Sequence, residues 1–105
     1  MIREILAAIV KELEPEHFAS AIKFHNALEV RLKAQDLTVK REYPVQDRGD
    51  GRKGYIDLVV LEPSRAAIEL DNVNPRRKSL MKLKTFDGER LVVLRRTRTI
   101  EVLKP

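Results

Sequence analysis

The 105-residue sequence contains no cysteine, only two histidines, and aromatics at 5% of its residues. Without thiols, disulfides and thiolate metal sites are excluded, which fits a cytoplasmic protein. With His17 and His25 as the only imidazoles, a zinc centre built on several histidines is not expected. The only aromatics are Phe18, Phe24, Tyr43, Tyr55 and Phe86, and most of them fall at core positions, so a stacking platform for single-stranded bases is not expected. No run approaches the ~18 apolar residues of a membrane-spanning helix, so no membrane partner is expected. The opening MIREILAAIVKELEPE interrupts its apolar positions with Glu4, Glu12 and Glu14, unlike the continuous apolar stretch of a signal peptide. Internal repeats and low-complexity tracts are also absent.

What is present is 43% hydrophobic and 35% charged residues, enough for one modest core and one domain over 1–105. The net charge of +5 is unevenly spread. Residues 1–73 carry 11 Lys+Arg against 13 Asp+Glu, whereas 74–105 carry 10 against 3. A basic C-terminal third behind an acidic stretch suits a polyanionic partner, most simply DNA.

Ile2, Ile5, Leu6, Ile9 and Leu13 recur at helical spacing and predict an amphipathic helix over 2–13. Pro15 suits the opening of a second helix, about 16–34, with an apolar arc of Phe18, Ala21, Ile22, Phe24, Leu28 and Leu32. His25 and Glu29 fall inside that arc, where a histidine ordinarily serves as a satisfied core residue. Strands are predicted at 37–43, 55–61, 66–71, 90–94 and 99–103 from alternation and apolar runs. QDRGDGRKG reads as a flexible turn; it lacks the Gly-Lys-Ser/Thr ending of a P-loop and has no expected nucleotide role. NPRRKSLMKLKTF predicts a helix with Leu80, Leu83 and Phe86 inward and Arg76, Arg77, Lys78 and Lys82 in solvent. The order α-α-β-β-β-α-β-β implies an α/β fold, a mixed β-sheet flanked by helices.

Three carboxylates interrupt the apolar strands of GYIDLVVLEPSRAAIELDN: Asp57, Glu69 and Asp71. Alternation puts Glu69 and Asp71 on one face. A two-residue loop in the 55–71 hairpin would pair Asp57 with Leu70; a three-residue loop, Glu62 to Ser64, would set Asp57 opposite Glu69 at a Cβ separation of about 5 Å. Opposed acids on an apolar sheet repel unless a cation lies between them, and hard divalent ions favour such clusters. On a solvent-facing edge the same acids would have no chemical role.

With Asp57 in GYIDLVV, Glu69 in AIELD and Glu29 on the preceding helix, the chain resembles the PD-(D/E)xK nuclease superfamily over about residues 16–95. The resemblance implies a restriction-endonuclease-like α-β-β-β-α-β core, with 1–14 an accessory N-terminal helix and 99–105 a terminal strand. Asp71 departs from it, standing where the family's lysine usually sits. Some members, similar to very-short-patch-repair endonucleases, carry a carboxylate there. Lys78 or Lys82 would then supply the positive charge.

The implied activity is hydrolysis of DNA phosphodiesters, structure-selective or within a larger assembly. Glu29, Asp57, Glu69 and Asp71 would hold Mg²⁺ or Mn²⁺, and Asp57, Glu69, Asp71, Lys78 and Lys82 would form the catalytic set. Arg76, Arg77, Lys78 and Lys82 would meet phosphates, with Arg95, Arg96 and Arg98 extending the track. A nucleic-acid-binding module that keeps the fold without catalysis is the alternative, favoured by Asp71. A homodimer contact is one use for the first helix.

Overall fold

The computed structural model describes residues 1–45 and 51–104. The first part of the glycine-rich turn, 46–50, and the last residue of the terminal segment lie outside the described residues. The elements are α1 (Ile2–Glu12), a 3₁₀ turn (Pro15–Phe18), α2 (Ala21–Lys33), β1 (Thr38–Val45), β2 (Gly54–Glu62), β3 (Ala66–Asp71), α3 (Arg77–Leu83), β4 (Glu89–Leu94) and β5 (Thr99–Val102). The strands form one mixed sheet in the order β1-β2-β3-β4-β5, with β3 and β4 parallel and the other neighbours antiparallel.

Both faces of the sheet are covered. Leu58, Val60, Ala66, Ile68, Leu91 and Val93 pack against Ile2, Leu6, Ile9, Val10, Phe24, Leu28 and Leu32 of α1 and α2. Val59, Ala67, Val92 and Leu94 face the other way, toward Leu83 of α3. This double cover explains why β3 reads as a near-continuous apolar run. Each fully buried Leu or Phe contributes about 1.5–3 kcal/mol, so these side chains dominate stability. The apolar stripe of α1 is consumed inside this core, and its N-terminus is capped by Glu89, whose carboxylate accepts from Ile2 N and Arg3 N.

The predicted long second helix is two elements. After the 3₁₀ turn, Ser20 caps a new helix, its hydroxyl accepting from Lys23 N. The restart shifts the helical phase. Ile22, expected in the apolar arc, is 57% exposed, while Phe24, His25, Leu28 and Leu32 are buried.

The hairpin register decides where the acids go. Leu58 pairs with Ile68, Val59 with Ala67 and Val60 with Ala66, the register that a three-residue loop at 62–64 requires. Continued by one residue, it sets Asp57 opposite Glu69. The β2–β3 ladder ends at that level. β1 and β2 stay in one register from Val39↔Val60 to Val45↔Gly54, yet both change face partway. Val39 and Leu58 belong to the α1/α2 side, whereas Tyr43 and Ile56 belong to the α3 side. The switch falls at Glu42, whose φ of 55° is left-handed, and at Asp57 across from it. Left-handed backbone costs a non-glycine residue roughly 1–2 kcal/mol, so the kink needs support from its surroundings.

Candidate active site

Where the β2–β3 ladder stops, two carboxylates replace the missing backbone acceptors. Asp57 N donates to Glu69 Oε2 at 2.8 Å, and Leu70 N donates to Asp57 Oδ2 at 2.8 Å. Each acid thereby satisfies a backbone N–H of the opposite strand. The acids are not misplaced core residues; they hold open a splayed strand end.

Glu69 lies on the α3 face of β3 with its side chain 0% exposed. Its second oxygen, Oε1, has no aligned hydrogen-bond donor among the described residues and is held instead by the Lys82 ammonium at 2.6 Å. Lys82 Nζ also donates to the Tyr55 carbonyl at 2.9 Å. Burial, and next the nearby charge of Asp57, push the Glu69 carboxyl up to about 7, against the opposing pull of Lys82 and the Asp57 N–H. A carboxyl group of this kind exchanges its proton near neutral pH.

Lys82 departs from its expected place in solvent: its side chain is only 14% exposed, while Leu80, expected inward, is exposed. The buried charge of Glu69 needs a cation within reach, and that requirement overrides the apolar pattern of α3. Asp71, on the same strand face as Glu69, is committed to α3. Its Oδ2 accepts from Arg76 N at 2.8 Å, and its Oδ1 accepts from Arg76 Nε at 2.5 Å and from Ser79 Oγ at 3.1 Å. α3 has no acid in its own first turn, so Asp71 supplies the anchoring charge that orients the helix and delivers Lys82 to Glu69. A metal on Asp71 would have to compete with these donors for the carboxylate oxygens.

Glu29 is likewise occupied. It pairs with Lys33 and Arg41, each at 3.0 Å, and the Lys33 hydrogen bond, opposed by burial and helped by Arg41, holds its carboxyl below the usual range. Two other groups approach Asp57 instead. A ring nitrogen of His25 and a carboxylate oxygen of Glu42 lie with an Asp57 carboxylate oxygen, all within 4.8 Å of one another. His25 is 9% exposed, Asp57 half-buried and Glu42 exposed. The three could hold a metal ion. His25 Nε2 lies 3.2 Å from the Asp57 carbonyl oxygen. A carbonyl only accepts, so Nε2 carries the proton and the free lone pair of the neutral ring is on Nδ1. Metal-bound imidazoles are commonly oriented by such a contact.

Of the sequence-predicted residues, Asp57, Glu69 and Lys82 come together, while Glu29 and Asp71 are engaged elsewhere. Lys78 and Arg77 are exposed on α3, and Arg76 is tied to Asp71. In the expected basic track, Arg95 turns inward, donating to the Phe18 carbonyl and Asn72 Oδ1, and Arg98 stacks on the Phe18 ring. Glu42 was hidden from sequence reasoning because alternation through LTVKREY presumes an unbroken strand. His25 was visible in the apolar arc, but nothing in the sequence linked it to Asp57. Among the described residues, no helix is long and apolar enough to cross a membrane. Comparison of the chain with protein-family models, curated proteins and solved structures yields no match to any of them.

Proposed function

We propose that the protein is a metal-dependent hydrolase of DNA phosphodiester bonds, of the PD-(D/E)xK type. The observation that carries this reading is the convergence of Asp57, Glu69 and Lys82 at one splayed strand end. The element sequence α2-β1-β2-β3-α3-β4 agrees with that family's core order, and Lys82 from the following helix stands in for the lysine that Asp71 replaces. The basic C-terminal third supports a polyanionic substrate.

The required ion is Mg²⁺ or Mn²⁺, with Asp57 as its central ligand. Both ions accept clustered carboxylates, and the donor set around Asp57 fits a divalent cation. When bound, the ion supplies Lewis acidity toward a phosphate oxygen and acidifies a coordinated water. The protein's own groups do the rest. Glu69, which lies beside Asp57 and whose carboxyl burial pushes up to about 7, is the group assigned to take the proton of the attacking water. The water oxygen attacks phosphorus, the bond to the leaving alkoxide breaks, and the alkoxide takes a proton from solvent. Lys82 neutralises charge on the phosphate oxygens as it grows, and Asp71 keeps α3 in place for it.

The test is incubation of pure protein with supercoiled, branched and single-stranded DNA in Mg²⁺ or Mn²⁺, beside Asp57→Ala. Cleavage by the native protein and a much slower, residual rate in the variant are expected. Equal cleavage by both, or none on any substrate, contradicts the reading. The Glu69–Lys82 ion pair and the engagement of Asp71 favour one alternative, a DNA-binding module without catalysis, which would bind this panel and leave it intact.

A further inference from the structure

The element that the resemblance would use to complete the metal site, the acid on α2, is withdrawn into ion pairs with Lys33 and Arg41. One turn before it on α2, His25 faces Asp57, and the left-handed kink at Glu42 brings a second carboxylate to the same point. We propose that His25, Glu42 and Asp57 form the metal site, and that its imidazole makes the site selective for Mn²⁺ over Mg²⁺.

The spacing suits a single ion. With metal–ligand distances of about 2.1 Å, ligand atoms on one octahedral ion lie about 3 Å apart when adjacent and about 4.2 Å apart when opposite. The three candidate atoms lie within 4.8 Å of one another, so the side chains must close in by a modest distance to share one ion. The backbone is set for it. The face change in β1 and β2 falls at Glu42 and Asp57, the two residues that contribute the carboxylates. His25 is nine-tenths buried, with its Nε2 proton on the Asp57 carbonyl, so its ring is held in place before any ion arrives.

The chemistry of the set decides the ion. Mg²⁺ prefers oxygen donors and gives up its waters reluctantly, so a nitrogen ligand on a fixed ring contributes little to its binding. Mn²⁺ takes carboxylates equally well and gains more from imidazole, as do the first-row ions that follow it in affinity. A site of two carboxylates and one imidazole therefore discriminates, where a site of carboxylates alone would not. The importance of this selectivity rests on the proposed hydrolase activity, but the binding is measured apart from it.

The test titrates the native full-length protein with Mn²⁺, reading free Mn²⁺ by electron paramagnetic resonance, and repeats the titration with Mg²⁺ as competitor. Mn²⁺ is expected to bind at least about tenfold more tightly than Mg²⁺. His25→Gln replaces the nitrogen ligand with an amide oxygen and keeps an N–H for the Asp57 carbonyl; it should bring the two affinities together. Glu42→Gln, at an exposed position, should weaken both ions by similar factors, and Glu29→Gln should leave both unchanged. Circular dichroism melting of each variant reports whether it is folded. Equal affinity for the two ions, an unchanged ratio in His25→Gln, or a loss in Glu29→Gln matching that in Glu42→Gln overturns the proposal. Selective Mn²⁺ binding without DNA cleavage would leave this site standing and remove the hydrolase reading. Cleavage with an unchanged ion ratio in His25→Gln would do the reverse.

Discussion

Replacing Glu69 with glutamine should make the metal-free protein's stability less dependent on pH, in a direction and amount that follow from the burial of this side chain. Glu69 is enclosed on the α3 face of β3, and its carboxyl is pushed from the ordinary 4.5 up to about 7. The folded state therefore holds a proton that the unfolded chain has already released over that interval. Stability falls as pH rises from about 4.5 to 7, and the loss is complete above 7. At 1.36 kcal/mol per pH unit, the interval corresponds to roughly 3 kcal/mol. In Glu69→Gln the amide oxygen still accepts from Asp57 N, and no proton is exchanged. Urea unfolding of both proteins in EDTA, at intervals from pH 4.5 to 8, measures the difference. The native protein should lose about 3 kcal/mol more than the variant across this window, a large share of the total stability of a domain this size. Parallel pH profiles for the two would refute the claim that Glu69 is an enclosed acid forced to ionise.

Asp71→Asn removes the charge that anchors Arg76 and leaves one of the three donors without its acceptor; about 1–3 kcal/mol of stability should be lost on chemical denaturation, with Mn²⁺ affinity unchanged. Glu42→Gly relieves the left-handed backbone and should raise metal-free stability by about 0.5–1 kcal/mol while weakening Mn²⁺ binding. In the same denaturation and titration experiments, a loss of stability, or unchanged Mn²⁺ binding, would count against the assignment of Glu42. DNA affinity should fall steeply with salt, and Arg77→Ala or Lys78→Ala should each reduce the log–log slope by about 1 if that side chain meets a phosphate, as fluorescence anisotropy across salt concentrations would report.

Much of the fold was legible because its signals are local. Period-2 patterning and apolar runs placed the five strands, and Ile2, Leu6 and Ile9 marked the buried stripe of α1. The meeting of Asp57 with Glu69 was legible up to one conditional, the length of the turn at Glu62 to Ser64, and the register of β2 on β3 resolves it. What could not be read depends on tertiary demand. Lys82 turns inward because a buried carboxylate requires it, although its position on α3 looks like surface. Ile22 turns outward because Ser20 restarts the helix in a new phase. Glu42 adopts a conformation that no glycine or asparagine announces, so the kink that brings it to Asp57 has no sequence signature. Asp71 did leave a signal: an acid a few residues ahead of a helix whose first turn has none of its own. That pattern points to anchoring before it points to catalysis.

The central claim is that Asp57, Glu69 and Lys82 act as one unit on a phosphodiester. A double-mutant cycle on single-turnover nicking of supercoiled DNA in Mn²⁺ tests it most directly, using Asp57→Ala, Lys82→Met and the combined variant, each confirmed folded by circular dichroism. Residues that share one task are strongly non-additive, so the combined variant should be no slower than the more damaged single variant. Losses that multiply, or a Lys82→Met protein that nicks at the native rate, would contradict the account.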